Sequence, residues 1–228
     1  MIARFRPYYK LKDLLSIFKF KNSNVEKFEN KFKAKFDMKY AVTFSYGRTA
    51  LYAILKIIKA KNYEVILPSY TCSVVGNAVV LSGAIPKFVD ANKHDFNMIF
   101  EEIENEITNK TIAIVVTHIF GYPSNVKKIE ALIKKKEIEL KRKIFIIQDC
   151  AHSFGASYEN FNTWQSGDFA FFGLNVSKII NSVYGGIVLT NKKYLANKLL
   201  NFKNRNTIKP SVKKELKRRI FFICIYFG

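Results

Sequence analysis

The segment "TIAIVVTHIFGYPSNVKKIEALIKKKEIELKRKIFIIQD" (111–149) decides the fold. Its first run, 111–119, is apolar without alternation, as a strand buried on both faces must be, and burial on both faces is the habit of parallel sheets. A polar segment of helical spacing follows over 124–138, and a second apolar run over 143–149 closes the unit. A helix between two such strands is the crossover that a parallel pair requires. The same alternation extends both ways, with strands predicted at "YAVTFS" (40–45), "EVILP" (64–68), "IPKFVD" (85–90), "DFAFFGL" (168–174) and "GGIVLT" (185–190). Helices are predicted at 48–59, 72–82, 98–106 and 192–203. The pattern is that of an α/β sheet with no internal repeat.

Outside this block the text changes character. A basic amphipathic lead-in occupies about residues 10 to 36 and includes "NSNVEKFENKFKAKF" (22–36). From Asn204 the periodicity dissolves into "NRNTIKPSVKKELKRR" (204–219) and then an apolar run from Ile220 to Phe227. The domain reading is therefore a helical lead-in over 1–36, a large domain over 37–205, and over 206–228 a basic linker with the start of a further domain. On that expectation the chain is a fragment.

Bulk properties exclude several classes. The 228 residues are 49% hydrophobic and 15% aromatic, which is globular rather than disordered composition. No run approaches the roughly 18 to 20 apolar residues of a membrane span, and the start lacks the apolar core of a signal peptide. Cys72, Cys150 and Cys224 form no CxxC or Cys/His spacing, so neither a metal site nor a disulfide framework is expected. A reducing cytoplasm is the implied compartment. The formal charge of +20 is spread over many segments, with 31 Lys against 7 Arg. Arg is the usual instrument of bidentate phosphate and base readout, so nucleic acid is not the expected partner.

In open α/β sheets ligands gather beyond the carboxyl ends of strands. Four such junctions carry chemistry. "SYGRTA" (45–50) puts Gly47 at the start of a helix, where free N–H groups and the helix dipole suit a phosphate. "QDCAH" (148–152) carries Asp149 out of a buried strand, with His152 close behind; a lone Asp there is also a common helix cap. "THIFGYP" (117–123) places His118 at a third junction, where a structural histidine is the competing reading. Lys178 stands alone in the nearly uncharged "DFAFFGLNVSKIINSVYGGIVLT" (168–190). An amine in an apolar cleft loses part of its affinity for protons and becomes a nucleophile toward carbonyls. With a buried acid and a phosphate cup it makes the set that a pyridoxal phosphate enzyme requires.

Taken in order, "GRTAL" (47–51), "LPSYT" (67–71), "AIPKFVD" (84–90), "HIFGYP" (118–123), "QDCAHSFGA" (148–156), "GDFAFFGLNVSK" (167–178) and "YGGIVLT" (184–190) resemble the DegT/DnrJ/StrS family of pyridoxal-phosphate-dependent sugar aminotransferases. The resemblance covers about residues 25 to 205. It implies a three-layer α/β/α fold with a mixed, mostly parallel seven-stranded sheet, the large domain of the fold-type-I transferases. By position it makes Lys178 the Schiff-base lysine, Asp149 the partner of the pyridinium nitrogen, and His152 a neighbour of the cofactor ring. Gly47, Arg48 and Thr49 take the phosphate-gripping positions, with Asn175 beside the lysine. Two positions depart from the family: Cys72 replaces the usual ring-stacking aromatic, and Gly173 the usual phosphate-binding Ser.

The implied activity is transfer of an amino group from an amino acid, glutamate, to a nucleotide-linked keto-sugar in surface polysaccharide or glycan biosynthesis. The implied cofactor is pyridoxal 5′-phosphate, and the implied assembly a homodimer at full length. Lysine at 178 argues against the relatives that dehydrate sugars with histidine there. Two other readings stand beside this one, a truncated and catalytically silent remnant, and a basic module for anionic surfaces.

Overall fold

A computed structural model describes residues 23–208 except Val176 and Val183, together with residues 211, 213, 214, 216, 217, 220 and 221. Much of the lead-in, most of the apolar run from Ile220 and Cys224 therefore lie outside the described residues. The elements run α1 (Ser23–Lys35), β1 (Tyr40–Phe44), α2 (Gly47–Ile57), β2 (Glu64–Pro68), α3 (Ser73–Ser82), β3 (Ile85–Val89), α4 (Phe100–Glu106), β4 (Thr111–Thr117), α5 (Val126–Leu140) and β5 (Phe145–Asp149). A small hairpin, β6 (Ser157–Tyr158) and β7 (Phe161–Asn162), precedes β8 (Phe169–Gly173), β9 (Gly186–Thr190) and α6 (Lys193–Asn206). The main sheet has seven strands in the order β1-β9-β8-β5-β4-β2-β3. Strand β9 runs antiparallel to both its neighbours, and the other pairings are parallel. The mixed, mostly parallel seven-stranded sheet expected from sequence is the one observed.

The uninterrupted apolar strands are explained by what covers them. Side chains of a strand alternate between faces. Ala113 and Val115 join Leu51, Ile54, Val79 and Leu199 in a core under α2, α3 and α6. Ile114 and Val116 instead meet Ile103, Ile129 and Ile133 of α4 and α5. The second face continues with α1 and the residue after it, where Phe32 and Phe36 are buried against Phe172, Ile187 and Leu189. Trp164 packs edge-on against Phe36 and donates its indole N–H to the Phe36 carbonyl at 2.9 Å. Part of the lead-in is thus built into the core of the large domain. Each fully buried Leu, Ile or Phe contributes about 1.5–3 kcal/mol, so the sheet is held from both sides.

At the opposite end of the sheet from the junctions named above, Asp168 is buried and accepts the Ile146 N–H at 2.9 Å. It pairs with Lys143 at 3.3 Å and with Lys192. The lysines of α5 are similarly interleaved with acids, as in Lys136–Glu139 at 3.1 Å and Lys128–Glu101 at 3.7 Å. No helix among the described residues is long and apolar enough to cross a membrane.

Candidate active site

Sheet register assembles the floor of one cleft. Thr117 pairs with Asp149, and Asp149 with Phe171. Thr117 and Asp149 end their strands, Phe171 lies two residues before the end of β8, and by parity with Val115 and Ile147 all three point to the α2 face. Over them stands the start of α2, brought close by glycines. A Cβ on Gly186 would lie 2.4 Å from the Tyr46 carbonyl carbon and 2.6 Å from the Gly47 nitrogen, closer than real Cβ atoms come. A Cβ on Gly47 would lie 3.0 Å from the Gly173 Cα. Bare backbone therefore seats the helix N-terminus on the carboxyl end of β8 and the amino end of the antiparallel β9.

The cleft so formed has a cavity volume of about 160 Å³. That is close to the roughly 150 Å³ that accommodates benzene in a protein core. Gly47, Arg48, Cys72, Asp149, His152, Asn175 and Lys178 all line it, together with Tyr46, Thr117 and Gly185. Seven of the eight positions singled out from sequence thus converge. Thr49 does not line the cleft: two helical steps rotate it from the face that Gly47 and Leu51 share. Of the sequence candidates, Thr49 and His118 are the two that do not line the cleft.

Each group is set by its surroundings. Tyr46 ends the chain before α2 without a side-chain cap, and the first turn of α2 has no acidic residue. Its free N–H groups and dipole face the cleft beside Arg48, whose guanidinium lies 4.4 Å from the centre of the Tyr46 ring. Asp149 is 4% exposed, and burial pushes its carboxyl up to about 6. The Ala151 N–H, bonded at 3.0 Å, the charge of Lys178 and the Thr117 hydroxyl oppose that rise. Asp149 therefore caps no helix; it braces a turn and faces the cavity. The Thr117 hydroxyl is buried and, among the described residues, completes no hydrogen bond of full geometry.

Lys178 is half-buried, and its pKa is lowered by burial, against the pull of Asp149 and Cys72. Its loop is closed at the base by the Leu174 N–H to the Gly185 carbonyl and the Ser182 N–H to the Leu174 carbonyl, both 2.9 Å. Asn175 accepts from the Ser177 N–H and hydroxyl, which orders the chain just before the lysine. A Cβ on Gly173 would sit 3.9 Å from the Lys178 Cε, so the family's Ser would fit at that point. His152 is shifted down by burial and by the charge of Lys178. Cys72 is an exposed free thiol on the lining, whereas the Cys150 thiol is buried and pushed up to about 12, which makes it inert.

His118 belongs to the scaffold. It is fully buried, its Nδ1 accepts the Ser124 N–H at 3.0 Å, and the proton on Nε2 then goes to the Gln148 carbonyl oxygen at 3.0 Å. Burial brings its pKa down to about 4. It pins the loop after β4 and does not line the cleft. Sequence reasoning missed Thr117, Tyr46 and Gly185; only strand register and the glycine contacts bring them in. Among the described residues no cluster of three metal-binding side chains exists.

A buried acid, a half-buried amine and an uncapped helix start, set round a ring-sized cavity, form a donor set into which pyridoxal phosphate fits. Comparisons with known proteins agree in kind. The chain is 37% identical over 186 residues to GDP-perosamine synthase of Escherichia coli O157:H7, covering 81% of this chain and 50% of that protein. It is 32% identical over 145 residues to a UDP-N-acetyl-3-dehydro-alpha-D-glucosamine 3-aminotransferase of Acidithiobacillus ferrooxidans, covering 63% and 38%. The chain spans half or less of the length of these curated relatives. Among solved structures, an aminotransferase from Psychrobacter cryohalolentis superposes with a TM-score of 0.80 at 25% identity, over 90% of this chain and 55% of that one. The sequence profile of the DegT/DnrJ/EryC1/StrS aminotransferase family matches residues 15–220, and the chain belongs to that family.

Proposed function

We propose that this chain holds pyridoxal 5′-phosphate in the cleft and moves an amino group from glutamate to a nucleotide-linked keto-sugar, a step in building surface polysaccharide or glycan. The observation that carries the reading is the convergence of Lys178, Asp149 and the start of α2 on one cavity of about 160 Å³. The named relatives act on GDP- and UDP-linked sugars, which supports the substrate class. When bound, the cofactor supplies an aldehyde that exchanges amines and a ring that withdraws electrons.

The residues divide the remaining work. The N–H groups opening α2 and the Arg48 guanidinium hold the phosphate, a dianion at a helix N-terminus. Asp149 holds a proton on the ring nitrogen; pairing with that cation replaces the solvation its carboxylate lost on burial. Lys178 Nζ, whose pKa burial lowers, is the amine that would hold the aldehyde and, once the donor's own amine has displaced it, would stand free as the base beside the donor's α-carbon. His152 and Cys72 flank the ring space, and Asn175 orders the lysine's approach. The net charge of +20 concentrates anionic nucleotide-sugars near the cleft.

The test is the half-reaction. The cofactor-loaded chain, given glutamate and no sugar, is expected to release 2-oxoglutarate stoichiometrically, and Lys178→Ala to release none. Addition of a nucleotide-linked keto-sugar is then expected to yield the amino-sugar. No 2-oxoglutarate from the loaded chain would refute the reading.

A further inference from the structure

Three aromatic residues stand at the carboxyl edge of the sheet with no role so far. Tyr70, Phe96 and Phe120 lie in the loops after β2, β3 and β4, and the order β4-β2-β3 makes those loops neighbours. Their ring centroids are 5.4, 5.7 and 6.0 Å apart, so the rings form a contiguous cluster. The cluster is not core: Tyr70, Phe96 and Phe120 are 48%, 41% and 58% exposed. It is continuous with the cleft, because Phe120 lies 6.4 Å from His152 in a near-parallel stack of 17°.

The cluster is held in place at a conformational cost. Phe96 and Phe120 have φ of 61° and 54°, the left-handed region that bulky side chains avoid. Local bonds enforce both. The Phe96 N–H bonds the Asn92 carbonyl at 2.8 Å, and Asn97 ties this loop to the Tyr122 carbonyl at 3.4 Å. The Phe120 turn is pinned through His118 and Ser124. Strain sustained at an exposed position marks a preorganised surface, since a merely structural loop would relax or carry Gly. Asn97 also keeps a buried Oδ1 with no partner among the described residues, a spare acceptor at the foot of the cluster.

We propose that Tyr70, Phe96 and Phe120 form a stacking platform for the nucleobase of the nucleotide-linked substrate. The inference rests on the reading of the cleft given above and names a subsite for it. Flat rings with polar edges suit such a platform: their faces cover aromatic surface, while their edges carry the donors that Asn97 Oδ1 lacks. Aliphatic partners would cover the patch without using its ring geometry. A sugar seated at Lys178 then leaves its nucleotide over His152 and Phe120.

The test measures binding of GDP and UDP, by calorimetry, to the cofactor-loaded chain, with glucose 1-phosphate as a probe that has phosphate and no base. Phe96→Gly and Phe120→Gly remove the rings while relieving the positive φ, so melting temperature is expected to hold or rise. Each is expected to weaken GDP and UDP binding about 5- to 150-fold. Phe120→Trp is expected to preserve it, and glucose 1-phosphate binding to be the same throughout. Unchanged GDP affinity in both Gly variants, or an equal loss for glucose 1-phosphate, overturns the platform. So does a dimer that the Gly variants dissociate while GDP still binds, which would assign the patch to a second copy. A parent chain that binds GDP through these rings but never develops the cofactor's visible band sinks the transferase reading and leaves the platform standing.

Discussion

Asp149→Asn is expected to stabilise the cofactor-free chain and to cripple the loaded one. Burial raises the Asp149 carboxyl from 3.8 to about 6, so the folded state binds its proton more tightly than the unfolded state does. The contribution to stability is therefore present below pH 3.8 and lost as pH rises through about 6. At about 1.4 kcal/mol per pKa unit, that gap amounts to about 3 kcal/mol at pH 7.5, about 1.6 at pH 5 and about 0.5 at pH 4. Asn is isosteric, does not titrate, and keeps an oxygen for the Ala151 N–H. Relative to the parent, Asp149→Asn should gain about 3 kcal/mol on going from very low pH to pH 7.5, or about 6–12 °C in melting temperature for a domain of this size. Thermal unfolding of both proteins across that pH range measures it. The same variant should bind the cofactor more weakly and lose half-transamination with glutamate, because a neutral amide cannot hold the ring cation. Parallel stability profiles for parent and variant would refute the claim that Asp149 is an uncompensated buried carboxylate awaiting a partner.

Other substitutions probe the scaffold. His118, lowered to about 4, contributes stability that is complete above pH 6.5 and lost as pH falls toward 4, about 3 kcal/mol in all; His118→Ala should lower stability at pH 7.5 by about 2–4 kcal/mol and flatten that acid dependence in chemical denaturation. Asp168→Ala strands the Ile146 N–H and two lysines and should cost about 3 kcal/mol, with Asp168→Asn costing less because it keeps an acceptor. Gly186→Ala places a Cβ against the Tyr46 and Gly47 backbone, so it should cost about 2 kcal/mol or more and weaken pyridoxal phosphate binding by lifting the start of α2.

Much of this was legible in the sequence because the decisive signals are local. A strand such as Thr111–Thr117 is buried at every residue and reads as an unbroken apolar run. Gly47, Asp149 and Lys178 are legible for a related reason, since each ends or follows a strand and differs in kind from its neighbours. The β6–β7 hairpin was not foreseen: its strands are two residues long, and Glu159 and Asn160 make the left-handed turn without the Gly that usually announces one. Thr49 could not be placed because its two helical steps from Gly47 decide what it faces. The cluster of Tyr70, Phe96 and Phe120 was equally hidden. Its members are about 25 residues apart along the chain, and only the order β4-β2-β3 brings their loops together. His118 reads as a catalytic candidate until Gln148, 30 residues on, is seen to accept the hydrogen bond of its Nε2–H.

The central claim, that Lys178 is the amine that binds the cofactor, is tested most directly by reductive trapping. The chain is mixed with stoichiometric pyridoxal phosphate, reduced with borohydride, digested and mapped by tandem mass spectrometry across its 31 lysines. Burial lowers the Lys178 pKa, and on the proposed function Asp149 and the start of α2 would direct the cofactor to it, so the pyridoxyl mass should fall on the Lys178 peptide. Label scattered over surface lysines with Lys178 unmodified would contradict the account.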